Sequence, residues 1–285
     1  MSVKIIKSPR EMQIEIDELR KHGKKIGLVP TMGYLHEGHL SLVKKSTELA
    51  DVTVVSIFVN PTQFAPNEDL TKYPRDFVRD RELLIRNKTD IIFYPEPEDI
   101  YTEGFQTYVN TTEITKRLEG ASRPTHFRGV TTVVSILFNI IKPHYAFFGQ
   151  KDAQQAAVIK RMVTDLHIDV NIYVEPIVRE NDGLAMSSRN IYLSPSERQD
   201  ALVLFNSLNH AELMIRNNVF NCSRIVNEME KIIGSVSSSS LDYVKIVEDE
   251  NFEEADVLQK GKNYFILIAC RIGATRLIDN MHITA

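Results

Sequence analysis

The chain has 285 residues, 43% hydrophobic and 25% charged, with 34 basic against 38 acidic side chains and a formal net charge of −4. Such a composition excludes intrinsic disorder and argues against broad nucleic-acid binding, while leaving room for a local basic pocket. At about 150 residues per domain, the length suggests two domains.

In chain order, residues 26–29 read as a strand and 37–49 as a helix. Residues 52–59 form a second strand, rich in β-branched side chains. A polar loop over 60–73 leads to a charged helix over 74–87, and 90–94 is a strand closed by Pro95 and Pro97. Residues 129–141 read as a buried helix, 145–148 as a strand, 153–166 as a helix and 168–174 as a strand. This alternation predicts an α/β, Rossmann-like parallel sheet with helices on both faces. Such sheets bind ligands beyond the carboxyl ends of their strands.

The pattern changes after Pro176. Residues 194–216 read as one long helix, with Ser194 as N-cap, Pro195 in the first position and Glu197 completing a capping box. A helix over 223–233, a serine-rich turn over 235–240 and strands over 243–247 and 264–270 follow. The expectation is a first domain over 1–175 and a smaller C-terminal α+β domain over 176–285. The longest apolar runs fall well short of the roughly 18 residues a membrane span needs. Lys4, Lys7, Arg10 and Glu11 interrupt any signal-peptide core. Cys222 and Cys270 are far apart and outside metal-ligand spacing, so two buried thiols in a reducing compartment are expected.

Chemistry concentrates in five segments. In PTMGYLHEGH, residues 30–39, His36 and His39 are three apart at a helix start, so both imidazoles share a face beside the positive end of the helix dipole. Gly38 between them would admit a ligand to the backbone. This suits a phosphate chain gaining charge; the alternatives are a zinc pair, which lacks an evident third ligand, and two surface histidines. In GQKDAQQ, Gly149 allows a tight turn, Lys151 supplies a point charge, Asp152 can cap the helix, and Gln154 and Gln155 offer neutral donors and acceptors. A plain helix start with a solvated lysine is the alternative. In MSSR, Ser187, Ser188 and Arg189 suit phosphate oxygens, or form a polar loop. In NPTQF, Gln63 could bind a hydroxyl or carboxylate, or sit in an ordinary Asn-Pro turn. In SRPTHFRGV, Arg123 and Arg128 could hold a carboxylate or lie in a solvated loop. The mixed charges of 75–86 suggest a solvated helix face.

Taken in order, PTMGYLHEGH, NPTQF, RPTHFRGV, FFGQKDAQQ and MSSRN resemble the pantothenate synthetase (pantoate–β-alanine ligase) family of the nucleotidylyltransferase superfamily. The resemblance spans the chain and is sharpest from about residue 27 to 195. It implies an AMP-forming carbon–nitrogen ligase that condenses pantoate with β-alanine through pantoyl adenylate. By that resemblance Met32, Gly33, Tyr34, Leu35, His36, Glu37, Gly38 and His39 line the ATP site. Gly149, Gln150, Lys151, Asp152, Val178, Met186, Ser187, Ser188 and Arg189 complete it. His39 takes the family's catalytic position; His36, His39 and Lys151 are assigned to phosphate charge. Gln63 and Gln155 would hold pantoate, with Asn60 and Arg123 as lesser contributors. Magnesium is expected with ATP. Asp80 is a candidate on the metal side, against a solvated helix carboxylate. A cytoplasmic homodimer is implied, with the smaller domain as a lid and with neither nucleic acid nor membrane as partner. A nucleotidyltransferase that leaves the nucleotide on its product, and a non-catalytic nucleotide-binding module, are the alternatives.

Overall fold

The computed structural model describes residues 3–65 and 70–285, so part of the expected loop over 60–73 lies outside the described residues. The chain divides into two compact units, Met1–Gly149 with Gln154–Pro176, and Gln150–Ala153 with Ile177–Ala285. Residues 150–153, grouped by sequence order with the first 175, therefore pack with the second unit.

The first unit runs β1 (Lys4–Ile6), α1 (Pro9–Lys21), β2 (Ile26–Thr31), α2 (Glu37–Leu49), β3 (Val52–Ile57), α3 (Phe77–Arg86) and β4 (Ile91–Phe93). Two single-turn helices, α4 (Pro97–Ile100) and α5 (Glu119–Ser122), precede α6 (His126–Ile141), β5 (Tyr145–Gly149), α7 (Ala153–Asp165) and β6 (Asn171–Glu175). All six strands are parallel, in the order β1-β4-β3-β2-β5-β6.

The strands are apolar almost throughout because both faces of the sheet are covered. Their period of two sorts the residues. Ile26, Leu28, Val54, Ile91, Phe93, Ala146 and Phe148 pack with Met12 and Ile16 of α1, Val134 and Phe138 of α6, and Ile159 and Met162 of α7. The intervening Val29, Val55, Ile92 and Phe147 pack with Leu42 and Val43 of α2 and Leu84 of α3. Each fully buried aliphatic side chain contributes about 1.5–3 kcal/mol. β2 has β3 on one side and β5 on the other. The helix after β2 covers one face and the helix after β5 covers the other. Between these two strands lies the switch point at which open parallel sheets hold ligands. The β2–β5 register pairs Leu28 with Ala146; carried three residues on, it sets Thr31 level with Gly149.

In the second unit, α8 (Pro195–Asp200), α9 (Leu202–Arg216) and α10 (Cys222–Gly234) precede an antiparallel sheet of β7 (Ser239–Glu248), β8 (Asn263–Ile272) and β9 (Thr275–Thr284). Leu204, Leu208 and Ala211 of α9 and Ile225, Met229 and Ile233 of α10 pack on Val244, Ile246, Ile266 and Ile268. The capping box forms: Ser194 accepts from Glu197 N, and Glu197 accepts from Ser194 N at 2.8 Å. The expected single helix over 194–216 is divided at Ala201, which keeps helical dihedrals but whose carbonyl accepts from Leu204 in a tightened turn. Cys222 and Cys270 are both buried and unbridged, and burial pushes each thiol up to about 11. No helix among the described residues is long and apolar enough to cross a membrane.

His144, just before β5, is half-buried, and its Nδ1 accepts the Ile26 N–H at 3.0 Å. Burial first, then Arg20 and Lys25, hold the imidazole below its ordinary value of 6.5. Its protonation is thus easier in the unfolded chain. The stability it supports is present above 6.5 and is lost as the pH falls through the lower folded value. A His144→Gln variant keeps an acceptor for Ile26 without titrating. Its melting temperature should fall less than that of the wild type between about pH 7 and pH 5.5. Equal acid slopes in the two proteins would contradict this role.

Candidate active site

The first half of the site is built where β2 ends. Thr31 Oγ1 donates to the Ser56 carbonyl at 2.8 Å and accepts from Gly33 N at 3.2 Å. Gly33 then turns with φ +81°, and a Cβ there would meet Ile57 at 3.0 Å and Asp80 at 3.1 Å. Tyr34 follows with φ 51°, a left-handed conformation without the freedom of glycine. Asp80 of α3 holds this turn. Its Oδ2 accepts from Tyr34 N at 2.6 Å and its Oδ1 from Leu35 N at 2.8 Å. A left-handed residue costs about 1–2 kcal/mol. Each hydrogen bond to a charged acceptor contributes about 1.5–3 kcal/mol, so the carboxylate outweighs the strain. Arg79 lies 3.5 Å from Asp80 Oδ1 and stacks over the Tyr34 ring at 5.1 Å.

Asp80 is therefore not the solvated helix carboxylate expected from its charged surroundings: it is 1% exposed. Burial pushes its carboxyl above the usual range, opposed by the two backbone N–H groups and by Arg79. Both of its oxygens accept from the backbone, so in this structure it anchors the loop. Among the described residues no group of three or more His, Cys, Asp or Glu side chains is arranged to hold a metal.

The anchored turn delivers the two histidines. His36 is the N-cap of α2 and His39 its third residue. His36 Nδ1 accepts from Gly38 N at 3.2 Å, and His39 Nδ1 accepts from His36 N at 3.3 Å. The rings lie 4.1 Å apart, tilted by 42°. Because each Nδ1 accepts a backbone N–H, the proton of each neutral ring belongs on Nε2. Both rings are thereby set to donate through Nε2–H beside the helix N-terminus, a constellation suited to an anion. Glu37, in the same first turn, is exposed.

The end of β3 meets this loop. Gln63 Nε2 lies 2.9 Å from Met32 Sδ, and Gln63 Oε1 accepts from Asn60 Nδ2 at 3.2 Å. Asn60 is 1% exposed and engaged inside the protein: it accepts from Thr62 and from Tyr101 Oη at 2.7 Å, and donates to the Gly129 carbonyl at 3.1 Å. These bonds set the turn that carries Gln63. Gly129 on α6 permits this packing, since a Cβ would meet Thr62 O at 2.5 Å and Gln63 N at 2.6 Å. Arg123 and His126 both donate toward the Gln63 carbonyl, at 3.4 and 3.1 Å. Met32, Asn60, Gln63, Arg123 and His126 are thus one cluster. Gln154 is consumed elsewhere, bonding Glu119 N and the carbonyls of Ile114 and Arg117. Its neighbour Gln155 takes part in none of these bonds and is half-buried. Gly149 ends β5 directly before the 3-10 turn of Gln150–Asp152; its φ is not left-handed, and a Cβ there would meet nothing within 4 Å. The open space above it suits a close ligand approach.

The other candidates lie in the second unit. Gln150, Lys151 and Asp152 form a 3-10 turn; Lys151 is half-buried and Asp152 exposed. Met186 N donates to the Val178 carbonyl at 3.0 Å, closing a short hairpin bridged at Arg179 and Ala185. Ser187 Oγ caps the next turn by accepting from Arg189 N at 3.2 Å, and Ser188 is buried. The sequence reading missed Gly129, whose signal was a glycine inside an apolar helix, and the loop-anchoring role of Asp80.

A loop held over a helix N-terminus at a switch point, with paired imidazoles, is an anion site that many nucleotide-using enzymes could share; comparison with known proteins narrows it. The pantoate-beta-alanine ligase family model matches residues 4–282. A pantothenate synthetase of Thermotoga petrophila is 53% identical over 278 residues, 98% of this chain and 99% of that protein. One from Geobacter sulfurreducens is 50% identical over 278 residues, 98% of each chain. Among solved structures, pantothenate synthetase from Thermus thermophilus matches with a TM-score of 0.92 at 40% identity, covering 98% of this chain and 99% of that one. Pantoate-beta-alanine ligase from Francisella tularensis, complexed with beta-gamma ATP and beta-alanine, matches with a TM-score of 0.78 at 35% identity, covering 98% and 97%. Identity of this order along nearly the whole chain, on the same fold, places this protein in the pantoate–β-alanine ligase family.

Proposed function

We propose that the chain joins pantoate to β-alanine in two steps driven by ATP. In the first, a pantoate carboxylate oxygen attacks the α-phosphorus; the bond from that phosphorus to the bridging oxygen breaks, and pyrophosphate leaves. In the second, the β-alanine amine attacks the acyl carbon of pantoyl adenylate, loses a proton and expels AMP. Activation is needed because a free carboxylate is a poor acyl donor.

The observation that carries this reading is the reciprocal cap of His36 and His39, which fixes both rings at the α2 N-terminus with Nδ1 accepting from the backbone and the proton of the neutral ring on Nε2. Fixed donors of that kind stabilise charge as it develops on phosphate oxygens, without reorganising during the reaction. Lys151, which brings an ammonium, and the hairpin of Val178 and Met186 with Ser187, Ser188 and Arg189 are assigned to the nucleotide as well. Gln63 and Gln155 are assigned to pantoate, with neutral amides that bind its hydroxyl and carboxylate groups without neutralising the nucleophile. Magnesium would enter with ATP as part of the substrate and offset phosphate charge, a role that requires no dedicated protein cage. A homodimer acting in the cytoplasm belongs to the same proposal.

Incubation with ATP, magnesium, pantoate and β-alanine should yield AMP, pyrophosphate and pantothenate in equal amounts. A product that retains the nucleotide, or the absence of pantothenate, would overturn the proposal. Lys151→Ala should lower turnover by at least about tenfold with the fold intact; an unchanged rate would remove Lys151 from the chemistry. Gly149→Ala tests the nucleotide approach: its melting temperature should match the wild type, while the KM for ATP rises severalfold. An unchanged KM would argue that no ligand passes over that residue. Asp80→Asn replaces one of two acceptors with a donor facing a backbone N–H, so kcat/KM should fall by about tenfold or more. Wild-type kinetics in that variant would show that the loop does not need its anchor.

A further inference from the structure

The turn that carries Lys151 is held by a residue 129 positions away in sequence. Asn280 of β9 donates through Nδ2 to the carbonyls of both Gln150 and Lys151, at 2.9 Å each. Its Oδ1 accepts from Gln150 Nε2 at 3.2 Å. Asn280 is 2% exposed, so these bonds do not compete with bulk water. A three-residue turn has almost no internal hydrogen bonding of its own, and its carbonyls need outside partners. A primary amide is the neutral side chain that offers two N–H donors and an acceptor from one planar group.

Asn280 is itself held. Its N–H donates to Asp279 Oδ1 at 2.8 Å, and its carbonyl accepts from Arg179 at 3.4 Å. Asp279, 3% exposed, forms a two-pronged ion pair with Arg179 at 2.7 and 2.9 Å. Arg179 also donates to the Gly183 carbonyl at 3.0 Å and stacks on Phe205 at 4.5 Å. It flanks Val178, whose carbonyl pairs with Met186 N. One buried polar network therefore fastens the Lys151 turn to the hairpin of Val178 and Met186.

We propose that Asn280 is a positioning residue that fixes the Lys151 ammonium relative to the nucleotide-binding hairpin, with the Arg179–Asp279 pair as its support. This rests on the assignment of Lys151 to ATP made above. A lysine side chain has four rotatable bonds, so its charge is placed only as well as its backbone is held. An ångström of misplacement far from the reacting atoms is enough to cost about tenfold or more in rate.

The test uses Asn280→Ala and Asn280→Ser, alone and combined with Lys151→Ala. Turnover, the KM for pantoate and ATP affinity by calorimetry are measured in each. Asn280→Ala should lower kcat by about tenfold or more, leaving the KM for pantoate within about twofold. Asn280→Ser, which keeps one donor, should fall between Asn280→Ala and the wild type, and it carries the test if the alanine variant does not fold. In the Lys151→Ala background, either substitution should weaken ATP binding by less than about twofold more, because its effect passes through the lost ammonium. Wild-type turnover in both Asn280 variants, or independent losses that multiply in the double variants, would overturn the proposal. A wild-type enzyme that makes no pantothenate would instead overturn the reading beneath it.

Discussion

The loop between β2 and α2 depends on one buried carboxylate. Asp80 accepts two successive backbone N–H groups in a turn where Gly33 and Tyr34 are both left-handed. Released from those bonds, the turn would relax toward ordinary dihedrals, and the entry into α2 would change with it. The cap formed by His36 and His39 depends on that entry, because each imidazole accepts a backbone N–H at a fixed place in the first helical turn. The tautomer of both rings, and hence the direction of their remaining N–H groups, follows. A charge on α3, remote in sequence, thus sets the chemistry at the end of β2.

The parallel sheet was plain in the sequence because buried strands are apolar and β-branched and because glycine and proline punctuate them. The residues from 26 to 57 were read to within two positions, since β2, α2 and β3 obey one local rule each. β1, α1 and β9 were not anticipated. Three residues of β1 are too few to show a period. α1 buries only Met12 and Ile16 among charged neighbours, and β9 carries Asp279 and Asn280 in its centre. The polar pair that hides β9 from a hydrophobicity reading is the pair that gives it a role.

The site was legible as motifs and illegible as bonding. PTMGYLHEGH and GQKDAQQ offered donors for an anion, since histidine, lysine and glycine there stand where a strand ends and a helix begins. What each residue does with its hydrogen bonds depends on partners distant in sequence. Asn60, implied by the resemblance as a lesser contributor near the substrate, bonds Thr62, Tyr101 and Gly129, none of them predictable from its own motif except Thr62. Asp80 looked solvated because its neighbours in sequence are charged, yet it is among the most buried polar residues. Gly149 does lead into a turn, but the open space beside it depends on the fold and not on its motif. A net charge of −4 is compatible with a local anion-binding constellation, such as two imidazoles and backbone N–H groups at one helix end.

Activation of pantoate on ATP before β-alanine takes part is the central claim. Exchange of labelled pyrophosphate into ATP tests it most directly, because exchange requires the first step to run forward and back. With ATP, magnesium and pantoate present and β-alanine withheld, label should appear in ATP at a rate that vanishes when pantoate is left out. Exchange that needs β-alanine, or that proceeds without pantoate, would contradict it.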